Sequence, residues 1–271
     1  MTGQDWVPPI VDTSAPSGAR TYDYLLGGSH NFAADRAMAD QVESAVPGIR
    51  AAARINRAFL ARAVRFMIGQ GVRQFLDVGS GIPTVGNVHE IAQHGDPACR
   101  VVYVDRDPIA VAHSELMLTG NENAAVVEAD MREPESILDH PTTRRLLNFD
   151  EPVGLLFLLV LHWIPDDAGP AALVARYRAA LSPASHLAIT HMTDDLQTDK
   201  ITAVADVVGR SRGAGQVFPR TRTEIADLFG DFAVLPPGLV PTGAWRPGGI
   251  GDIAEDPEMN ELSFAGVARK P

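Results

Sequence analysis

Cysteine is nearly absent: Cys99 is the only one in 271 residues, so no disulfide can form within the chain. It stands just before an apolar, strand-like run where a small core residue fits, and such usage suits a reducing compartment. Cations are also in short supply, with 23 Lys and Arg against 34 Asp and Glu, leaving a formal charge of −11. A field of that sign disfavours nucleic acid and anionic membrane surfaces, which need a positive footprint, so neither is expected as a partner. Long apolar runs are missing too. The longest, Val153 to Ile164, is interrupted by His162 and is too short to span a bilayer. The opening Met1 to Trp6 lacks the basic flank and apolar core of a signal peptide, and a soluble, cytoplasmic protein is expected. No internal repeat or low-complexity tract is visible.

What is present is enough apolar material, 45% of residues, for a sizeable core that needs neither a disulfide nor a metal staple, and no metal site is expected. The length suits one large α/β domain, or one such domain with a helical accessory. Up to about Ser17 the chain is rich in Pro, Thr and Ser and reads as extended. Arg20 to Phe32 mixes aromatics, charges and paired glycines without a period, as in a buried loop or part of a site. Ala33 to Val46 reads as a helix stopped by Pro47-Gly48. Ile49 to Gly69 is a stronger one, because Ile55, Phe59, Leu60, Ala63, Val64 and Met67 recur at three- and four-residue steps. Arg54, Arg57, Arg62 and Arg65 fall mostly on the other side, which reads as a solvated face.

From Gln74 onward, strands and helices alternate. Strands are expected at Phe75–Val78, Val101–Val104, Ala124–Glu128, Val153–Leu159 and Leu187–Thr190. Helices are expected at Thr84–His94, from Asp107-Pro108 through about Leu118, and at Ala168–Leu181, Lys200–Val208 and Thr223–Phe229. Asp107 is the expected cap of the second of these, with Pro108 in its first turn. Late strands are expected at Phe232–Leu235 and Leu262–Val267, and a further one at Leu239–Trp245, which Pro241 would confine to an edge. Arg246 to Pro257 reads as a loop. Alternation of this kind implies right-handed crossovers and a mostly parallel sheet covered on both faces.

In such a sheet ligands bind beyond the carboxyl ends of the strands, so the loops there are candidate sites. The first is Asp77-Val78-Gly79-Ser80-Gly81-Ile82-Pro83, whose two glycines permit a tight turn and close approach to backbone. The loop is expected to open a helix, so that its free N–H groups face the crevice. Asp105 ends the next strand, about 20 residues on, the spacing at which a carboxylate can accept both ribose hydroxyls. Arg106 follows it and joins the expected cofactor set. After the third strand, Asp130 could accept from an exocyclic amine while Met131 packs on a purine face. Dinucleotide binding would call for Gly-x-Gly-x-x-Gly, but Thr84 stands at the third glycine position. Asp77 is unfavourable beside a diphosphate and suits a cationic ligand, so a nicotinamide-dependent oxidoreductase is disfavoured. The sulfonium and amino groups of S-adenosylmethionine meet that demand.

Together these motifs resemble the successive cofactor motifs of class I S-adenosylmethionine-dependent methyltransferases. More narrowly, the chain resembles an actinobacterial family of S-adenosyl methyltransferases, formerly a domain of unknown function. The hallmark is Ser17 to Gly28, followed by Asn31-Phe32 and Asp35-Arg36, and the likeness runs from about Pro16 to the C-terminus. The resemblance implies a Rossmann-like fold of class α/β with a seven-stranded, mostly parallel sheet and an antiparallel last strand at Leu262–Val267. Residues 1–70 would form an N-terminal extension and helical cap, and residues 71–271 the cofactor-binding domain. It also implies that Gly79, Ser80 and Gly81 face the methionine part, Asp105 the ribose, and Asp130 with Met131 the adenine. Proline at 83 and threonine at 84 depart from the family's glycine and stiffen the helix entry.

Methyl transfer from a sulfonium is an in-line displacement, so much of its catalysis is positioning, with a base for a hydroxyl or amine acceptor. His162, after the fourth strand, is the candidate base, against the plain alternative of a histidine satisfied by backbone or by Asp166. Trp163 can be packing or a substrate platform, and His191 could line the same mouth. Tyr22, Tyr24, Asn31 and Arg20 are costly to bury unpaired, and this segment is expected to close over the cofactor, with Tyr22 or Arg20 reaching the site. Arg210, Arg212, Arg220 and Arg222 read as a solvated loop, with binding of an acidic acceptor as the alternative. The expected function is O- or N-methylation of a small metabolite or natural product, the absence of an Asn-Pro-Pro-Tyr type motif arguing against methylation of base amines. The alternative is a module that binds S-adenosylmethionine or its demethylated product without turnover.

Overall fold

The computed structural model describes residues 12–83, 86–248 and 257–271. Three helices come first: α1 (Gly18–Leu25), α2 (Ala33–Ala45) and α3 (Ile49–Gly69). The alternating region follows as β1 (Gln74–Val78), α4 (Val88–Gly95), β2 (Arg100–Asp105), α5 (Pro108–Met117) and β3 (Ala124–Glu128). Two short helices, α6 (Pro134–Leu138) and α7 (Pro141–Leu146), lead to β4 (Val153–Leu158), α8 (Pro170–Ala179) and β5 (His186–Met192). The chain ends with α9 (Thr198–Arg210), α10 (Arg222–Asp227), β6 (Ala233–Val234), β7 (Val240–Pro241), α11 (Pro257–Asn260) and β8 (Ser263–Arg269).

Strands β3-β2-β1-β4-β5 run parallel in that order, β8 joins β5 antiparallel, and β6 and β7 both pair with β8. This is the expected α/β fold with eight strands in place of seven. The extra one arises because the last edge is split: Ala233–Val234 faces Arg269 and Ala268, while Val240–Pro241 faces Ala265 and Phe264. Pro236-Pro237-Gly238 turns the chain away between the two. Pro241 does sit at an edge, where its missing N–H costs no ladder bond.

Strand residues alternate between two cores, as a pleated sheet requires. Leu76, Val102, Leu155 and Leu187 face one, and Phe75, Val101, Leu156 and Ala188 the other, all with no exposed surface. Each of these valine, leucine and phenylalanine side chains contributes roughly 1.5–3 kcal/mol on burial. The carboxyl-terminal half of α3, with Phe59, Val64 and Met67, covers the second face. A third cluster holds Met38, Val42, Ile49, Val204, Val208 and Leu262, so α2, the start of α3 and α9 form a cap over the strand ends. Helix α9 thus joins the N-terminal helices in the cap, although it lies more than a hundred residues further along the chain.

Three sequence expectations change. Part of the segment expected to be aperiodic forms α1, with Arg20 and Tyr22 fixed by partners on α2 and α3, and Asp23 accepting from His30 N–H and the Asn31 amide across the next loop. The helix expected from Thr84 begins at Val88, capped by Asn87 and Glu90; Thr84 and Val85 lie outside the described residues, as does most of the loop expected between Arg246 and Pro257. The arginines of α3 do not share one solvated face: Arg54 and Arg65 are exposed, but Arg62 is buried and donates to the carbonyls of Trp245 (2.8 Å) and Thr242 (2.9 Å).

Candidate active site

The loop after β1 is shaped by its neighbour strand. Gly79 and Ser80 both donate their N–H groups to Val104 O, at 2.8 and 3.0 Å, and Gly81 donates to Asp105 Oδ2 at 2.7 Å. These amides are therefore used within the protein, and the expectation that they face the crevice free is corrected. Gly79 has φ 72°, and a Cβ there would lie 2.2 Å from Val160 Cγ2, so only glycine fits between the loop and the end of β4.

Asp105 is held as an oriented acceptor. One oxygen takes Gly81 N–H, the other takes Asp107 N–H at 2.9 Å, and each keeps a lone pair for a vicinal diol. Burial pushes its carboxyl up, against the two backbone donors. Asp77 is buried beside it, and burial pushes that carboxyl up to about 7, opposed by Arg57 and aided by Asp105. Two carboxylates in one desolvated place call for a cation. Asp130 is tied to Arg132, whose Nε donates at 2.9 Å, with Arg106 at 3.6 Å; Arg132 holds its carboxyl below the usual range.

On the other side of β1 the chain bends sharply. Leu159, at the end of β4, has φ 50°, a left-handed conformation costing a non-glycine residue roughly 1–2 kcal/mol. It is held there by Thr190, which accepts Leu159 N–H on both its carbonyl (3.0 Å) and its hydroxyl (2.9 Å). The Thr190 hydroxyl donates in turn to Asn56 Oδ1 (2.7 Å), Asn56 Nδ2 donates to Tyr22 Oη (3.0 Å), and Tyr22 donates to Ala53 O (3.0 Å). This chain of bonds ties the sheet to α3 and α1.

The following turn carries His162, buried, with Nδ1 lacking a hydrogen-bond partner. Burial, with the nearby His191 and Arg220, holds its imidazole far below the usual range, so it is neutral near pH 7. Its backbone is fixed by Phe218 N–H donating to His162 O at 2.7 Å. Arg220 braces the turn by donating to Leu161 O (3.1 Å), Ile164 O (2.7 Å) and Asp166 Oδ1 (2.7 Å).

One cavity of about 580 Å³ joins these groups, within the range of small-ligand sites. Asp77, Gly79, Ser80, Gly81 and Asp105 line it, with Arg106, Asp130 and Met131 at one end and Tyr22 and His162 at the other. Two expected groups do not reach it. Arg20 is buried against Asp35 (2.9 Å) and Asp107 (3.4 Å) and donates to Ala15 O, which fixes α1, and it does not line the cavity. His191 donates from Nδ1 to Met192 O (2.7 Å) and accepts from Arg220 on Nε2 (2.9 Å); burial holds it at about 4. Arg220 itself corrects the solvated-loop reading for that stretch. Sequence reasoning passed over Asn56, although a lone amide on the same helix face as Phe59 and Leu60 was a signal.

The donor set fits S-adenosylmethionine: a clamped diol acceptor, a buried acidic pair that calls for a cation, and a Met131 side chain beside a carboxylate. Comparison with known proteins agrees. Residues 4–271 match the model of a family described as S-adenosyl methyltransferase. A candidate methyltransferase of Thermobifida fusca is 42% identical, with 98% of this chain and 99% of that one covered and a TM-score of 0.92. A DUF574 family protein of Streptomyces avermitilis is 34% identical over 96% and 99%, with a TM-score of 0.90. None of the functionally curated proteins matches.

Proposed function

The chain belongs to the S-adenosyl methyltransferase family, and on that premise we propose that it methylates an oxygen or nitrogen of a small metabolite or natural product. The observation that carries this reading is the single cavity running from the clamped carboxylate of Asp105 to the neutral imidazole of His162. S-adenosylmethionine, when bound, supplies a methyl group on a cationic sulfur. Asp105 holds the ribose, Asp130 and Met131 bracket the adenine, and Asp77 with the Gly79–Gly81 loop receives the cationic methionine part. The left-handed turn at Leu159 and the brace from Arg220 fix where His162 stands. Tyr22 and its helix cover the cavity, which excludes water from the transfer. His162, neutral and buried, takes the acceptor's proton.

The test is turnover of radiolabelled S-adenosylmethionine against a metabolite panel, with His162→Ala alongside. That variant should bind cofactor within about threefold of wild type while turnover falls about 10²-fold or more, the ordinary scale for losing a general base. Equal turnover would remove His162 from the chemistry. Cofactor binding with no turnover of any acceptor by the wild type would instead favour a binding module.

A further inference from the structure

The cavity has two halves of opposite character. Its charged groups, on Asp77, Asp105, Asp107, Asp130, Arg106 and Arg132, lie at or beyond the carboxyl ends of β1, β2 and β3, and Arg57 stands between the two halves, its charge acting on both Asp77 and Tyr22. The other half lies beyond β4 and β5, under α1, α2 and α9. Its wall is built from Met38, Val42, Ala52, Val204, Val208 and Val217, with the ring of Trp163 beside His162. Among the described residues the one charged side chain that reaches this half is Arg57 at its boundary, whose guanidinium donates to Gly86 O. Its other polar side chains belong to Thr21, Tyr22, Asn56, His162 and Ser263, and all are uncharged at neutral pH.

The nearby arginines do not alter this. Arg220 is committed to Leu161, Ile164, Asp166 and His191, Arg222 donates to Leu239 O, Arg210 pairs with Asp206 on the surface, and Arg212 is exposed. A carboxylate or ammonium seated deep in this half, beside His162 and away from Arg57, would lose its water and meet no countercharge, a cost of several kcal/mol. An aliphatic amine would arrive protonated, since its pKa is about 10. A buried neutral imidazole is also a weak base, which favours an acidic hydroxyl over an aliphatic alcohol.

From this division we propose that the apolar half is the acceptor chamber and that the acceptor is an uncharged, largely apolar molecule presenting a phenolic or enolic hydroxyl to His162. The inference rests on the methyltransferase reading above and narrows its acceptor. In the step, the new carbon–oxygen bond forms as the methyl–sulfur bond breaks, the electron pair stays on sulfur as a thioether, and the hydroxyl proton passes to His162 and then to water. Charge balances, since the sulfonium's positive charge leaves as that proton.

The test is calorimetric titration of the full chain, first loaded with S-adenosylhomocysteine, using three probes of one size: naphthol, its hydroxynaphthoic acid analogue and its aminomethyl analogue. Naphthol should bind at least about 30-fold more tightly than either charged analogue, as expected for desolvating an unpaired charge. Ala52→Phe, which fills the chamber from α3, should weaken naphthol at least about tenfold while keeping S-adenosylhomocysteine within about threefold. Tighter or equal binding of a charged analogue, no naphthol binding by loaded protein, or an indifferent Ala52→Phe variant overturns the proposal. Failure of S-adenosylhomocysteine itself to bind would strike the methyltransferase reading instead.

Discussion

Asn56 donates to the hydroxyl of Tyr22 over 3.0 Å, and this bond joins α3 to the first cap helix. Asn56 also accepts from Thr190, so one amide satisfies groups from two elements that are far apart in sequence. Tyr22→Phe should cost about 0.5–1.5 kcal/mol, and Asn56→Leu about 1–3 kcal/mol, because the latter strands both partners. Urea denaturation monitored by tryptophan fluorescence measures the two. A larger loss for Tyr22→Phe than for Asn56→Leu would contradict the network.

The Arg20–Asp35 pair is a second fastening, with side chains only 5% and 0% exposed. Arg20→Met removes the cation and leaves Asp35 buried and charged, which should cost about 3–5 kcal/mol. The same denaturation series reads it. A loss below about 1 kcal/mol would show that α1 is not held by this pair.

Asp77 gives the site a pH dependence whose sign follows from its raised carboxyl. Between about pH 4 and pH 7 the folded state binds the proton more tightly than the unfolded chain, so this group's contribution to stability falls as pH rises through that window. A bound cation reverses the preference and favours the ionised form. Affinity for S-adenosylmethionine should therefore rise more than about tenfold from pH 5.5 to pH 7, and Asp77→Asn should flatten the slope. A slope unchanged in Asp77→Asn would assign the titration to another group.

Much of the fold could be read in the sequence because its causes are local. Helix α3 and strand β3 have the boundaries expected from their periodicity, and Asp107 caps α5 by accepting from Ile109 N–H at 2.9 Å. The acidic groups after β1, β2 and β3 were legible for the same reason, since strand ends place them. What was not legible depends on tertiary partners. Helix α1 has no apolar stripe; it is fixed by Arg20, Asp23 and Asn31, whose partners lie in other segments or across a loop. The role of Arg220 depends on three carbonyl and side-chain acceptors more than fifty residues earlier in the chain. The split of the last edge strand follows from a turn that brings two short pieces to one partner, which periodicity does not register.

Whether Asp105 anchors S-adenosylmethionine is decided by calorimetric titration of wild type and Asp105→Ala with S-adenosylmethionine, S-adenosylhomocysteine and NAD. Wild type should bind the first two and not NAD, and Asp105→Ala should lose about 2–3 kcal/mol of affinity, the scale of hydrogen bonds to a charged group. A folded wild type that binds neither adenosyl compound, or an Asp105→Ala variant with unchanged affinity, would show that Asp105 is no such anchor.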